Sequence, residues 1–227
     1  MSTNRRRFLE SAAANVAALA VMPAAAYAAM PHDIAMFGQA NSDEWDLGWA
    51  DRVKKAKHRA VFDCTDPESG YGVWRASAWT RQNIDVLNAA SADVIPVIVL
   101  RHNAIILAMQ QSFWDKYGVG AAKKVMHPMT QEPTTKNPVL LDEKDGLAAP
   151  FNTAALHKQL ARGAIALACN MALQDCIDTI AQQDKVSVDE ARKRAIAYLV
   201  PGVVLQPSGV FAATTAQEAG AVYVKAS

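Results

Sequence analysis

The chain has 227 residues, 51% of them hydrophobic, and a formal net charge of +1 at pH 7. This length and apolar content are enough for one sizeable core, so a single folded domain is expected. No basic stripe is interleaved with aromatic residues, which argues against a nucleic-acid partner. The cysteines are Cys64, Cys169 and Cys176, and none belongs to a C-x-x-C pair. The sequence therefore predicts neither a disulfide framework nor a structural metal site.

The first 28 residues have the pattern of an export signal. The run Arg5-Arg6-Arg7-Phe8-Leu9 resembles the twin-arginine motif, in which an arginine pair is followed by one free position and then Phe-Leu. An alanine-rich stretch over 11–26 leads to Ala26-Tyr27-Ala28, a small-x-small cleavage site. We therefore expect recognition by the twin-arginine export machinery, cleavage after Ala28 and a periplasmic location.

An uncleaved membrane anchor is the alternative for this segment. Asn15 and Pro23 interrupt its apolar run and leave it shorter than the roughly 20 apolar residues that a spanning helix needs. We therefore expect no stable membrane span after cleavage.

Residues 29–57 are interpreted as an N-terminal extension, and the main domain is expected at 58–227. Ser42, followed by two acidic residues, predicts the start of a helix in the extension. Trp45 and Trp49 are one helical turn apart, which favours packing of this face against a core. A platform for a sugar or an aromatic ligand is the alternative role of the two indoles.

The best functional clue lies between residues 93 and 114. The run 94–100 is short, β-branched and apolar, which is typical of a strand buried on both faces, although Pro96 cannot donate to a ladder. Arg101-His102-Asn103 follows directly. From Ala104 the apolar positions recur every three to four residues, which predicts a helix. The three polar residues are thus expected at the carboxyl end of a strand, where open α/β sheets bind ligands.

Strands and helices alternate along the rest of the predicted domain. Strands are expected at 58–63, 94–100, 164–168, 203–205 and 221–224, and helices at 73–87, 171–182, 187–199 and 210–219. With right-handed crossovers, this alternation predicts an α/β fold with a mostly parallel sheet of about five strands.

Further polar residues and cysteines follow the other predicted strands. Besides Arg101, His102 and Asn103, this set contains Cys64, Cys169, Asn170, Gln206 and Ser208. We expect one pocket to hold them all and to take a small ligand or an anion. Helices that begin after these loops direct backbone N–H groups and a positive dipole end towards such a pocket.

Cys169 is the candidate nucleophile of this set. A position after a buried strand and in the first turn of a helix stabilises a thiolate over a thiol. A small buried apolar side chain is the alternative role of Cys169, and a hydrogen-bonded structural imidazole is the alternative role of His102. Cys176 is expected in the core, because ~10 Å of helical rise separates it from Cys169. Pairing of Cys64 with Cys169 stays open, since both lie at strand ends.

A proline-rich, irregular segment is expected at 118–152. Segments of this length are usually lids, oligomer arms or poorly ordered loops. Within it, Met126-His127-Pro128-Met129 brings two thioethers and an imidazole together, which are soft ligands of the kind that hold copper. A plain surface loop is the alternative interpretation.

Several of these segments resemble the DsrE/DsrF-like family. The resemblance rests on Ala161-Arg162-Gly163-Ala164-Ile165-Ala166-Leu167-Ala168-Cys169-Asn170 with the helix after it, on Val203-Val204-Leu205-Gln206, and on the terminal Gln217-Glu218-Ala219-Gly220-Ala221-Val222-Tyr223-Val224. It implies a three-layer α/β/α sandwich that assembles into homo-oligomers, trimers or hexamers. It also implies that Cys169 occupies the position at which some members carry sulfur as a cysteine persulfide.

Two classes of function follow from these observations. The first is periplasmic sulfur or thiol-redox chemistry with Cys169 as the sulfur acceptor. The second is a non-catalytic oligomeric module that binds a small ligand, a haem or a metal through His102 or the Met126-His127-Pro128-Met129 loop. The sequence specifies no cofactor.

Overall fold

The computed structural model describes residues 45–227, which form an α/β fold with helices on both faces of a central sheet. Its five strands are all parallel, as the sequence predicts. They are β1 His58–Cys64, β2 Val94–Leu100, β3 Ile165–Cys169, β4 Val203–Gln206 and β5 Val222–Lys225. The export signal, its cleavage site and the helix start at Ser42 lie outside the described residues.

The strands lie in the order β4-β3-β2-β1-β5. From β1 to β4 each connection steps to the neighbouring strand in one direction. The last connection then returns across the sheet and places β5 beside β1. Parallel neighbours need such crossover connections, which here carry the helices.

Eight α-helices accompany the sheet in the part of the chain that the structure describes. They are α1 Gly48–Lys55, α2 Tyr71–Leu87, α3 Gln111–Tyr117, α4 Val119–Ala122, α5 Leu156–Ala161, α6 Asn170–Asp184, α7 Val188–Ala197 and α8 Gly209–Glu218. Helices α2 and α6 cover one face of the sheet, and α1 and α8 cover the other.

The two cores follow from the alternation of side chains along each strand. On the α2/α6 face, the strands contribute Phe62, Cys64, Ile98, Leu100, Ala166 and Ala168. On the α1/α8 face, they contribute Val61, Val97, Val99, Ile165 and Leu167, which meet Trp49 and the alanines of α8. Successive residues of a strand point to opposite faces of the sheet. The faces of these core residues therefore also indicate the side on which the residues at the strand ends lie.

The single helix predicted from Ala104 is wrong. A 3-10 helix spans His102–Ala108, Met109 forms an isolated antiparallel bridge with Leu199, and the α-helix begins only at Gln111. Every residue from 104 to 109 is buried, so this segment has no polar face and is shaped by the elements that surround it.

Pro96 is accommodated inside a central strand. Strand β3 pairs with β2 only from Val97 onward, so Pro96 has a ladder neighbour on the β1 side alone. Proline lacks a backbone N–H, and Pro96 stands at a position where β2 is not yet paired with β3.

The segment 118–152 is anchored to the domain. Asn137 is fully buried, and its Nδ2 donates hydrogen bonds to the carbonyl oxygens of Leu107 at 3.1 Å and Met109 at 2.8 Å. The Tyr71 hydroxyl donates to the carbonyl of Pro128 at 2.8 Å. Buried contacts of this kind tie the segment to α2 and to the loop after β2.

Within residues 45–227, no helix combines the length and the apolar character needed to cross a membrane.

Candidate functional site

The candidate site lies where the connections change from one face of the sheet to the other. Strand β3 leads into α6 on one face, and its neighbour β4 leads into α8 on the opposite face. The last residues of the two strands, Cys169 and Gln206, are register partners. Ligands of open α/β sheets bind at strand carboxyl ends near such a change of face.

Cys169 is the N-cap residue of α6. Its Sγ accepts a hydrogen bond from the backbone N–H of Ala172 at 3.4 Å. Its side chain follows Leu167 by two residues along β3 and therefore lies on the α8 side of the sheet. The residue is 6% exposed. The sequence placed Cys169 after a buried strand and at a helix start, and that is its position in the structure.

An ion pair between Asp63 and Arg101 lies on the same side of the sheet. Arg101 donates from Nε to Asp63 Oδ1 at 2.7 Å and from Nη2 to Oδ2 at 2.8 Å, and the Tyr223 hydroxyl donates to Oδ2 at 2.7 Å. Two parallel N–H···O bonds are the strongest form of an arginine–carboxylate contact. The carboxylate is almost fully buried, at 4% side-chain exposure, and the guanidinium is 23% exposed.

These contacts shift the pKa values of Asp63, Arg101 and Tyr223. Burial opposes ionisation of Asp63, but the hydrogen bonds from Arg101 and Tyr223 outweigh it and lower the pKa of the carboxyl group. The hydrogen bond to Asp63 raises the pKa of Arg101, with smaller electrostatic contributions from Tyr223 and Cys169. The pKa of Tyr223 is raised, first by its bond to Asp63 and then by burial. Arg101 and Cys169 directly follow Leu100 and Ala168, which are register partners, so this cation lies on the strand next to Cys169.

The start of α8 touches Arg101 directly. A Cβ on Gly209 would lie 2.5 Å from both Cβ and Cδ of Arg101, so only glycine allows the helix to approach this closely. Ser208 is the N-cap residue, and its Oγ accepts from the N–H of Phe211 at 3.0 Å. Two helix N-termini thus contribute partial positive charge to this site, while the charge of Arg101 is balanced by Asp63.

Two buried oxygen atoms at the site lack a hydrogen-bond donor. Gln206 is fully buried and uses its Nε2 to donate to the carbonyls of Asp46 and Leu205, at 2.9 and 3.0 Å, while its Oε1 has no partner. Asn170 Oδ1 is likewise without a donor. Buried acceptors without a donor are costly, so a donor group brought by a ligand would stabilise this region.

The structure does not bring every predicted site residue together. Arg101, Cys169, Asn170, Gln206 and Ser208 gather around the ends of β2, β3 and β4. Cys64 does not join them, because it is fully buried on the α2/α6 face, where burial raises its pKa to about 12. The expectation of a single pocket for all of these residues is therefore wrong.

His102 and Asn103 do not join the ion pair of Arg101. Both are exposed. Asn103 Nδ2 donates to Asp66 Oδ1 at 2.9 Å, and His102 adopts a left-handed backbone conformation with φ of 51°. Only the first residue of Arg101-His102-Asn103 therefore contributes to the buried ion pair.

The structure excludes a disulfide between Cys64 and Cys169 in this fold. Strand β2 lies between their strands, which separates the backbones by about two strand spacings, or ~9.6 Å, whereas a disulfide spans at most about 7 Å between Cα atoms. The two side chains also lie on opposite faces of the sheet. All three cysteines are free. Cys176 is in the core, as expected, and burial raises its pKa to about 12.

The Met126-His127-Pro128-Met129 loop forms a turn around its imidazole. His127 Nδ1 accepts from the N–H groups of Met129 and Thr130, both at 3.3 Å, and the two methionines are partly exposed. Over residues 45–227 there is no group of three or more His, Cys, Asp or Glu side chains able to hold a metal ion. The imidazole is engaged as a turn-stabilising acceptor.

Sequence reasoning missed Asp63, Tyr223 and the contact made by Gly209. The sequence does point to Asp63, since an acidic residue inside a buried apolar strand needs a counter-charge. It does not point to Tyr223, because the role of Tyr223 depends on β5 pairing with β1.

Comparison of the chain with protein-family models, curated proteins and solved structures found no match. Its function is therefore inferred from the residues of the site.

Proposed function

We propose that the protein is an exported, DsrE-like sulfur carrier of the periplasm that uses Cys169 as its sulfur acceptor. The observation that carries this proposal is the environment of Cys169. Its Sγ caps α6 by accepting the N–H of Ala172, and the guanidinium of Arg101 lies nearby. The thiol thus lies at the start of a helix, a position typical of cysteine nucleophiles.

The chemical step is the transfer of one sulfur atom. The Cys169 thiolate attacks the outer sulfur of a persulfide donor, R–S–SH. A new S–S bond forms to Cys169 while the S–S bond of the donor breaks, and the thiolate R–S⁻ leaves with the bonding electron pair. Cys169 then carries the persulfide, and no separate oxidant or reductant is consumed.

The test compares thiol reactivity in the folded protein. Iodoacetamide should label Cys169 faster than Cys64 and Cys176, because those two thiols are 0% and 2% exposed and burial raises their pKa to about 12. The rate should rise with pH, and Cys169→Ser should abolish the fast labelling. Arg101→Gln should slow the labelling at neutral pH. Cys64→Ser is the matched control and should label like the wild type.

The sulfur-transfer step needs a separate readout. After exposure to glutathione persulfide, the intact mass should increase by one sulfur atom in the wild type and in Cys64→Ser, but not in Cys169→Ser. Absence of the adduct in the wild type, with Cys169 still open to alkylation, would favour the alternative function. That alternative is a non-catalytic small-ligand module at the same site, with the buried Oε1 of Gln206 as a ligand contact.

Export is supported by Arg5, Arg6 and the Ala26-Tyr27-Ala28 cleavage pattern. Replacing Arg5 and Arg6 by lysine should leave uncleaved precursor in the cytoplasm, as measured by fractionation and N-terminal sequencing. Full periplasmic yield of the double variant would contradict a twin-arginine route.

A further inference from the structure

A cavity of about 210 Å³ lies at the other end of the sheet from Cys169. Its apolar wall comes from Ile84 of α2, from Val94 and Pro96 at the start of β2, and from Ala164 just before β3. Hydroxyl groups complete the lining, contributed by Ser77, Thr80, Ser91 and Thr153. The cavity is smaller than the roughly 300–1,000 Å³ of pockets that take drug-sized ligands, so any ligand here is small.

Two arginines line this cavity without a balancing carboxylate. Neither Arg81 nor Arg162 forms an ion pair with any acidic side chain of residues 45–227. Arg162 Nη2 donates to the carbonyl of Thr153 at 2.6 Å, which directs its guanidinium along the wall. Burial, together with the like charge of Arg81, lowers the pKa of Arg162. The two cations are therefore close enough to repel one another.

A buried amide on the cavity wall also lacks a partner. Gln159 is 2% exposed, and its Nε2 donates to the carbonyls of Val73 at 2.9 Å and Ala154 at 2.6 Å. Its Oε1 receives no hydrogen bond from any donor of residues 45–227. The wall thus offers two guanidinium groups to an anion, and the Gln159 oxygen remains as an acceptor for a hydroxyl donor on the same ligand.

We propose that this cavity binds a small molecule with an oxyanion group, a phosphate or a carboxylate, held between the guanidinium groups of Arg81 and Arg162. The planar guanidinium matches the oxygen pairs of both groups. An anion between the two arginines removes their mutual repulsion, and the hydroxyl of Ser91 supplies a further donor. An adjoining cleft, lined by Arg52 and Lys55 as well as by Arg162, extends the positive charge around the mouth.

The proposal is independent of the chemistry at Cys169. The cavity lies at the amino ends of β2 and β3, whereas Cys169 ends β3 at its carboxyl end. A failure of anion binding therefore leaves the sulfur-carrier proposal untouched, and the reverse also holds.

Calorimetric titration of the full-length chain with inorganic phosphate and, separately, with butyrate tests the site. At least one of the two anions should bind. The titration that releases or absorbs heat shows whether the site takes a phosphate or a carboxylate group. Arg81→Gln and Arg162→Gln should each weaken binding by about tenfold or more, since a hydrogen-bonded charge is lost. Arg192→Gln, an arginine of α7 away from the cavity, is the matched control and should bind like the wild type. No binding of either anion, or unchanged affinity in both arginine variants, would overturn the proposal.

A second variant tests the same site without removing an arginine. Ser91→Glu places a carboxylate at the cavity, where it can pair with the two cations. It should abolish anion binding and raise the thermal midpoint relative to the wild type without anion. If Ser91→Glu binds the anion with wild-type affinity, the site is not the one proposed.

Discussion

At the scale of single residues, the contact between Asp63 and Arg101 determines the electrostatics of the candidate site. Asp63 is nearly inaccessible to water, and three hydrogen bonds from Arg101 and Tyr223 replace its hydration. A buried pair adds little stability compared with apolar residues, but removing one partner leaves the other charge uncompensated.

We therefore expect Asp63→Asn to be strongly destabilising. The change leaves the Arg101 guanidinium without its counter-charge and should lower the free energy of unfolding by about 3 kcal/mol. Tyr223→Phe removes one hydrogen bond and keeps the ion pair, so it should cost about 1 kcal/mol. Urea denaturation of the two variants measures this difference. Equal and small losses would show that the ion pair is not a structural element of the site.

The same contact predicts a pH dependence. Since the pKa of Asp63 is lowered in the folded protein, its stabilisation is complete above the pKa of about 3.9 of an unfolded aspartate, and is lost as the pH falls through the folded value. The stability gap between wild type and Asp63→Asn should therefore narrow below about pH 4. A gap that stays constant down to the acid unfolding limit would contradict this assignment.

At the scale of elements, the packing of α8 on the sheet determines the position of the Arg101 side chain. The helix crosses the face that carries Val61, Val97 and Leu167, and its first residue, Gly209, lies against the arginine side chain. The absence of a Cβ at this position is therefore a packing requirement, because the backbone of Gly209 does not adopt a left-handed conformation.

Gly209→Ala should displace either α8 or Arg101. Overpacking of this kind costs about 1–3 kcal/mol, and a displaced Arg101 should also slow alkylation of Cys169. Gly48→Ala is the control, because a Cβ there would meet only Asp46 Oδ1 at 3.2 Å. Thermal unfolding and the alkylation rate report the two effects. Wild-type values of both in Gly209→Ala would show that the helix end adapts without moving the arginine.

At the scale of the whole molecule, β5 is an edge strand with exposed apolar side chains. Among residues 45–227 it pairs only with β1, and Val222 and Tyr223 are 69% and 43% exposed. Unpaired backbone groups beside apolar side chains are a template for association. If the protein forms the homo-oligomer that the family resemblance implies, we expect this edge to lie in the interface.

We expect the protein to self-associate at micromolar concentration and Val222→Glu to shift it towards the monomer. The introduced charge would be buried at the interface without a partner. Val86→Glu, at the exposed end of α2, is the matched control and should leave the mass unchanged. Light scattering on the three proteins measures the mass. A wild-type monomer at this concentration would contradict self-association.

The sequence alone determined the five strands, most of the helices between them and the residues at the strand ends, but not the segment after β2. Hydrophobic period, β-branched runs and cap residues are local properties, so the five parallel strands were predicted to within a residue or two at most ends. Ser187 was also predicted to begin a helix, and its Oγ caps α7 by accepting the N–H of Glu190 at 3.3 Å. The placement of Cys169 at the junction of β3 and α6 also followed from local pattern.

Only the tertiary structure decided which of these residues meet. Arg101 reaches Asp63 across 38 residues of sequence and Tyr223 reaches it across 160, through the pairing of β1 with β2 and β5. The strand order, and the side of the sheet to which each side chain points, likewise separate Cys64 from Cys169. The same long-range packing brings α2, α5 and β2 together around the cavity that Arg81 and Arg162 line. Such neighbours depend on long-range pairing and burial, whereas the periodicity of a sequence specifies only the local element and the side from which each residue projects.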